Sequence, residues 1–400
     1  MSGPFLSIIG IGEDGVAGLS PAAQTALREA HLVIGGARHL ALAQTLIQGE
    51  AETWPRPIQS AIAHIQAASA AKVAVLASGD PFFYGVGKML ADAFEPSQWR
   101  CFPGISSVSL ACARLGWAQN EVEIVSLCGR PLDHLARVLW HGAKLLVLSE
   151  DASTPAKVAD FLAGHGFGHS EITLLEALGG PDERMRARVA GNFDLVECNA
   201  LNLLAITLQG GPNAALVPGR HDSVFAHDGQ ITKHDIRAIT LAALAPRPGA
   251  LLWDVGTGSG SVAIEFLLAH RSTRAIGIDR NPERLARAGQ NAQRHGVPEL
   301  QLLQGEAPAA FDGLPMPDAI FLGGGAHLPG VIDAASAALA PGGRLVANAI
   351  ALETEAALIA ALAHQGGTLS RIGVERLDKV GRMQVLRPAM TVAQYVWIKP

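Results

Sequence analysis

Leu251-Leu252-Trp253-Asp254-Val255-Gly256-Thr257-Gly258-Ser259-Gly260 decides how the second half of this 400-residue chain folds. Its first five residues, apolar but for one acid, read as a buried strand, the glycine-rich run as a loop, and Ser261 to His270 as a helix. The unit then repeats: Ala275 to Ile278 reads as a strand ending at Asp279, Pro282 to His295 as a helix with proline in its first turn, and Leu300 to Leu303 as a third strand. A strand at Asp318 to Leu322, a helix at Leu328 to Leu339, the turn Pro341-Gly342-Gly343, a strand at Arg344 to Ile350 and a helix at Thr354 to Gln365 follow. Strands alternating with helices predict a doubly wound parallel sheet covered on both faces. Glycines after the first strand let the backbone approach a ligand, and Asp279, 19 residues beyond Gly260, ends the next strand where a ribose hydroxyl would bind. Taken alone, such a loop also fits a bare tight turn or an NAD site, although Asp254-x-Gly256-x-Gly258-x-Gly260 differs from the GxGxxG of dinucleotide folds.

The first half has its own punctuation. Phe5 to Ile9 is a strand running into Gly10-Ile11-Gly12, and Ser20-Pro21 opens a helix with serine as cap and proline at its first position. Strands follow at His31 to Ile34 and Lys72 to Leu76, the latter running into Ser78-Gly79-Asp80-Pro81-Phe82-Phe83-Tyr84-Gly85; later, Pro103-Gly104-Ile105-Ser106-Ser107 leads into a helix. These are polar turns at the carboxyl ends of strands, where open α/β sheets bind ligands. Asp80 before Pro81 also suits a turn cap, and Ser106 a helix cap.

Composition bounds the rest. At 49% hydrophobic and 17% charged, the chain is neither disordered nor fibrous, and 400 residues suit two or three domains better than one. It lacks an apolar run of about 18 residues and a basic leader, so a cytoplasmic protein without a membrane partner is expected. Cys101, Cys112, Cys128 and Cys198 form no CxxC pair, so neither a metal site nor a disulfide framework is expected. The net charge of −5 divides unevenly: residues 1–230 hold 15 basic and 22 acidic side chains (−7), residues 231–400 hold 16 and 14 (+2). An acidic half without a basic patch argues against nucleic acid as partner. The Gly/Pro-rich run around Gly210-Gly211-Pro212 and Gly219 to Gly229 marks a seam near residue 225. Domains at 1–212 and 231–400 are therefore expected, joined by a linker at 213–230.

The second-half pattern resembles the class I S-adenosylmethionine methyltransferases. In the first half, the order Gly-x-Gly, Gly-Asp-Pro, Pro-Gly-Ile-Ser-Ser resembles the tetrapyrrole methylases, the class III methyltransferase fold of two α/β subdomains. Gly35-Gly36-Ala37-Arg38-His39-Leu40 is similar to the branch acting on precorrin-6 rather than on uroporphyrinogen. Gly36 stands where many of the latter carry aspartate, so no general base is expected there. The two folds in one chain, with Ile231 to Arg237, Asp279 to Glu283, Gly305 to Pro308 and Gly323 to Gly325, resemble the decarboxylating precorrin C5,15-methyltransferases of cobalamin biosynthesis.

That resemblance implies a tetrapyrrole-methylase domain followed by a Rossmann-like class I domain, each with its own S-adenosylmethionine site. It implies C5 methylation of precorrin-6B in the first, and C15 methylation with loss of the C12 acetate carboxyl group in the second, giving precorrin-8. A cobalt-containing precorrin is an alternative substrate, RNA a more remote one. The cofactor residues carried over are Gly79, Asp80, Phe83, Ser106 and Ser107 for the first site. For the second they are Thr232, Gly256, Thr257, Gly258, Ser259, Gly260, Asp279 and Ala307. A homo-oligomer is implied too. No catalytic base is assigned; His327, Glu353, His234, Arg38 and His39 are candidate proton carriers, each equally readable as an ordinary surface or core residue. Arg280, Arg344, Arg376, Lys379 and Arg382 are candidates for binding the carboxylates of a tetrapyrrole polycarboxylate. The excess of arginine over lysine (24 to 7) suits that role or a mere codon preference.

Overall fold

Leu6-Ser7-Ile8-Ile9-Gly10-Ile11 is apolar at nearly every position, and a strand of that kind belongs inside a sheet covered on both faces. In the computed structural model, which describes residues 4–212 and 217–400, it lies there as β1 (Leu6–Ile11). With β2 (Leu32–Gly35), β3 (Glu50–Thr53), β4 (Val73–Ser78) and β5 (Trp99–Phe102) it forms a parallel sheet of order β3-β2-β4-β1-β5. A second sheet combines β6 (Glu123–Ser126), β7 (Lys144–Leu148), β8 (Glu171–Glu176), β9 (Arg184–Val189) and β10 (Asn202–Thr207) in the order β6-β7-β10-β8-β9. Only β6 and β7 run parallel in it. The helix Ser107–Leu115 covers this second sheet, burying Val108, Ala111 and Cys112 against Leu146, Leu175 and Leu203.

The third sheet is the one read from the glycine loop. It joins β11 (Leu251–Val255), β12 (Arg274–Asp279), β13 (Gln301–Gln304), β14 (Ala319–Leu322), β15 (Arg344–Ala349), β16 (Thr368–Ile372) and, beyond the hairpin β17 (Glu375–Val380) and β18 (Met383–Pro388), β19 (Val392–Ile398). Its order is β13-β12-β11-β14-β15-β19-β16, parallel from β13 to β15 and antiparallel at β19. Period-two alternation sends Leu251, Trp253 and Val255 into one core and Leu252 into the other. Helices Val331–Ala338 and Leu352–Gln365 cover the first face; His234–Leu244, Ser261–Ala269 and Pro282–Arg294 cover the second. Both faces of β11 are thus dry.

The chain divides into two compact units, Met1–Arg130 with Trp140–Pro212, and Pro131–Leu139 with Asn213–Pro400. Of the segment read as a linker, residues 213–216 lie outside the described residues. The remainder, 217–230, is no free tether: Phe225 is buried in the core of the second unit among Leu241, Leu244 and Phe266.

Candidate functional site

The carboxyl end of β11 delivers Asp254 into the interior. Its Oδ2 accepts the Thr257 hydroxyl at 2.8 Å and the Ala263 N–H at 3.1 Å, which ties the glycine loop to the first turn of the helix that follows. Among the described residues nothing hydrogen-bonds Oδ1, although that atom is buried. Burial pushes the Asp254 pKa up to about 6; the bonds from Thr257 and Ala263 oppose the rise, and neighbouring Asp279 adds to it. Gly256, at φ +74°, allows the loop to turn hard beside Gly324, whose nitrogen would stand 3.0 Å from any added Cβ. Asp279, at the end of β12, accepts the Gly258 N–H through Oδ2 at 3.0 Å and the Asn281 N–H through Oδ1 at 2.9 Å.

These groups open on a cavity of about 760 Å³. Of the residues carried over for this site, Thr232, Gly256, Thr257, Gly258, Ser259, Asp279 and Ala307 all line it. Gly260 does not; it caps the helix Ser261–Ala269 from behind, packed near Ala288. The cavity is also lined by Gly323 to Gly325, which abut the glycine loop, by His327, Asn348, Ile350 and Met390, and by the cations Lys233 and Arg376. Arg376 is ion-paired with Asp235, and His327 Nδ1 lies 3.4 Å from the Thr354 hydroxyl.

Not every candidate charge arrives. Arg280 lines the cavity, but Arg344 starts β15, at the amino-terminal ends of the parallel strands and away from the glycine loop, where its guanidinium donates to the Ala243 carbonyl at 3.1 Å. Lys379 and Arg382 belong to the β17–β18 hairpin and its turn, and neither lines the cavity; nor do Glu353 and His234, the latter 3.1 Å from Asp235.

Sequence reasoning missed the residues that hold this site together. Arg237, fully buried, donates to Glu265 Oε1 at 2.7 Å, to Asp222 at 3.2 Å, and to the carbonyls of Thr232 and Arg220. Glu265 in turn accepts the N–H groups of Gly219 and Arg220 at 2.6 and 3.1 Å. The signal was present: Arg237 lies on the stripe Ile236, Thr240, Leu241, Leu244, and Glu265 among Val262, Ala263, Ile264 and Phe266. A charge on an apolar face of a helix demands a buried partner.

In the first unit the glycine loops interlock at the carboxyl ends of β1 and β4. A methyl group on Gly10 would overlap the Gly79 carbonyl oxygen outright, and the Gly104 N–H donates to that same oxygen at 3.0 Å. Asp80 Oδ1 accepts the Phe82 N–H at 2.9 Å, and the Ser106 hydroxyl accepts the Ser109 N–H at 3.1 Å as the cap of the helix that Ser107 begins. Phe83 leaves the Gly-Asp-Pro loop to pack against the apolar cluster of the second sheet, so the loop spans both subdomains of this unit. Beside it, Ser78 Oγ lies 2.8 Å from His39 Nε2, and Arg38 lies 2.9 Å from both, itself paired with Glu13. Burial and the adjacent Arg38 push the His39 pKa down to about 4, so the ring is neutral at neutral pH. A larger, open depression of about 1010 Å³, lined by Arg28, His31, Glu50 and His64, lies at the opposite ends of β2 and β3, away from these loops. Among the described residues no helix is long and apolar enough to cross a membrane, and no group of three or more His, Cys, Asp or Glu is placed to hold a metal.

Comparison with known proteins is consistent across the chain. Residues 6–193 match the family of tetrapyrrole (corrin/porphyrin) methylases, and residues 223–399 match the precorrin methyltransferase domain. A precorrin-6Y C(5,15)-methyltransferase [decarboxylating] from Sinorhizobium sp is 49% identical over 399 residues, 99% of this chain and 97% of that one. Two relatives from Salmonella typhimurium match part of the chain. A cobalt-precorrin-6B C(15)-methyltransferase (decarboxylating) is 42% identical over 38% of this chain and 74% of its own. A cobalt-precorrin-7 C(5)-methyltransferase is 33% identical over 45% of this chain and 89% of its own.

Proposed function

Because the chain belongs to the decarboxylating precorrin-6Y C5,15-methyltransferase family, we propose that it performs both methylations of one precorrin with two separate S-adenosylmethionine sites. The first unit methylates C5; the second methylates C15 and removes the C12 acetate carboxyl group, giving precorrin-8. The observation that carries this assignment is the presence, in one chain, of both family matches, with a decarboxylating C5,15 relative aligned along almost the whole of it. The two shorter relatives, which divide the C5 and C15 reactions between separate proteins, support the division of labour. The full-length relative is named for a precorrin and the shorter ones for cobalt-precorrins, which favours the metal-free substrate.

The residues of the second unit fit the methyl donor. Asp254 holds, at the cavity wall, a buried carboxylate oxygen without a partner among the described residues, suited to an ammonium group. Asp279 uses one acceptor site of each oxygen on backbone N–H groups and keeps the others for a ribose diol. Gly256 leaves the backbone bare where the donor approaches. When bound, S-adenosylmethionine supplies a methyl group on a positively charged sulfonium.

What the chain adds is chiefly positioning. Holding donor and acceptor carbon in line contributes several kcal/mol without any strong base. Lys233 and Arg376 line the cavity and suit the carboxylates of the macrocycle; Ile231, Ile350 and Met390 keep water from the carboxylate that is lost as carbon dioxide. His327, also in the lining, is placed to hold a proton. In the first unit, Gly79, Asp80, Phe83, Ser106 and Ser107 surround the junction of the glycine loops and are the residues assigned to the other donor. Self-association belongs to the same proposal, supported by the exposed Leu377, Met383 and Leu386 of the hairpin.

Incubation with precorrin-6B and methyl-labelled S-adenosylmethionine tests the assignment. Two added methyl groups with loss of carbon dioxide are expected; absence of label in the product overturns it.

A further inference from the structure

The helix Pro282–Arg294 carries four polar side chains on one line, Arg284, Arg287, Asn291 and, one residue beyond its end, His295. Spacings of three, four and four residues put them on one face. All four grip a single stretch of chain, residues 220–230, which runs over the glycine loop. Arg284 donates to Asp228 at 3.0 Å and to the Gln230 side chain at 2.6 Å, and Arg287 lies 3.3 Å from Asp228. His295 lies 3.2 Å from the Val224 carbonyl through Nε2 and 3.1 Å from Arg220 through Nδ1. The strap continues into Gln230, Ile231 and Thr232, which line the cavity.

Asn291 is the member that does more. Its Oδ1 accepts the Ala226 N–H at 2.9 Å, while Nδ2 donates to the Ala226 carbonyl at 2.9 Å and to the Ser259 carbonyl at 2.8 Å. One buried amide thus reads both faces of a strap residue and fastens it to the glycine loop. Neither an acid nor an aliphatic side chain can do this: the arrangement needs one acceptor and two donors in a plane. Only asparagine supplies them at this length; glutamine is one methylene too long.

We infer that Asn291 is a positioning residue for the methyl donor of the second unit, acting through the strap on one side and Ser259 on the other. It fixes the distance between Thr232 and the loop Gly256 to Ser259, the two walls between which the donor lies. This rests on the donor site proposed above.

Equilibrium dialysis of labelled S-adenosylmethionine against the full-length chain tests it. The unaltered protein is expected to bind two equivalents; binding of none overturns the functional assignment and, with it, this role. Asn291→Ala is expected to weaken one of the two equivalents by about tenfold, the worth of one or two lost hydrogen bonds, and leave the other unchanged. In turnover, the KM for S-adenosylmethionine in the decarboxylating methylation should rise with little change in kcat, whereas mere loss of folded protein would lower apparent kcat alone. Arg287→Ala, which loosens the strap at Asp228 from outside the cavity lining, should raise the same KM by a smaller factor. If Asn291→Ala folds and binds both equivalents as tightly as the unaltered chain, Asn291 has no positioning role. If Asn291→Ala does not fold, an unchanged KM in Arg287→Ala overturns the inference instead.

Discussion

Asp279 and Gly258 are joined by a 3.0 Å hydrogen bond from the backbone N–H of the glycine loop to the carboxylate at the end of the neighbouring strand. The acid that suits the donor's ribose therefore also sets the loop that suits the rest of the donor. Asp279→Ala should remove both effects and weaken donor binding in the second unit beyond the ~1–3 kcal/mol of a single charged hydrogen bond. Asp279→Asn keeps an acceptor and should fall between. Titration calorimetry with S-adenosylhomocysteine distinguishes them; equal affinity in all three proteins would refute the coupling.

Asp254 gives a pH signature of known sign. Its pKa in the folded chain, about 6, lies above its ordinary value, so the folded state holds this proton more tightly than the unfolded one. The associated stability is present in full below pH ~4 and is lost as pH rises to 6, an effect of about 3 kcal/mol. Asp254→Asn, which cannot ionise, should lack that loss. Urea unfolding of the second unit in both proteins between pH 4 and 7 measures the difference. Donor affinity should run the other way, strengthening as pH rises through 6 in the unaltered chain and staying flat in Asp254→Asn.

Gly10→Ala separates the two units. The added methyl would collide with the Gly79 carbonyl, a backbone atom that cannot swing aside. C5 methylation should be lost, and C15 methylation with decarboxylation should persist. Product mass shows this directly as one added methyl group with loss of carbon dioxide; loss of both reactions would show that the second unit depends on the first.

Arg376 faces the cavity, whereas Lys379 and Arg382 do not. Arg376→Ala is expected to raise the KM for precorrin about tenfold, by removing one partly exposed charge-assisted contact, with donor KM unchanged. Lys379→Ala and Arg382→Ala should leave both constants within twofold. Steady-state kinetics at low and high salt checks all three.

How far these features can be read from residues alone varies with their physics. The glycine loop, Asp279 and the strand-helix alternation were legible because each is local: an apolar run, a positive-φ turn, an acid at a strand end. Arg344 was misplaced among the carboxylate binders although its position at the start of a strand already put it at the wrong end of the parallel strands. The strands of the second sheet of the first unit, β6 to β10, gave no such punctuation, since most of their pairings are antiparallel and join segments far apart in sequence. The strap was read as a linker for a related reason. Its glycines and polar residues look like a tether, and what binds it, Arg237, Glu265 and Asn291, comes from three helices that only the folded chain brings together.

The Arg237–Glu265 pair also bears on how firmly the wall of the second site is held. Lifting the strap would leave the two paired with each other on their helices, but would strip Arg237 of Asp222 and the Arg220 and Thr232 carbonyls and Glu265 of two backbone N–H donors, and each buried polar group left empty costs about 1–3 kcal/mol. An open strap is therefore a rare state of the folded chain, and the stretch of cavity wall that it carries, Gln230 to Thr232, is fixed in place rather than hinged.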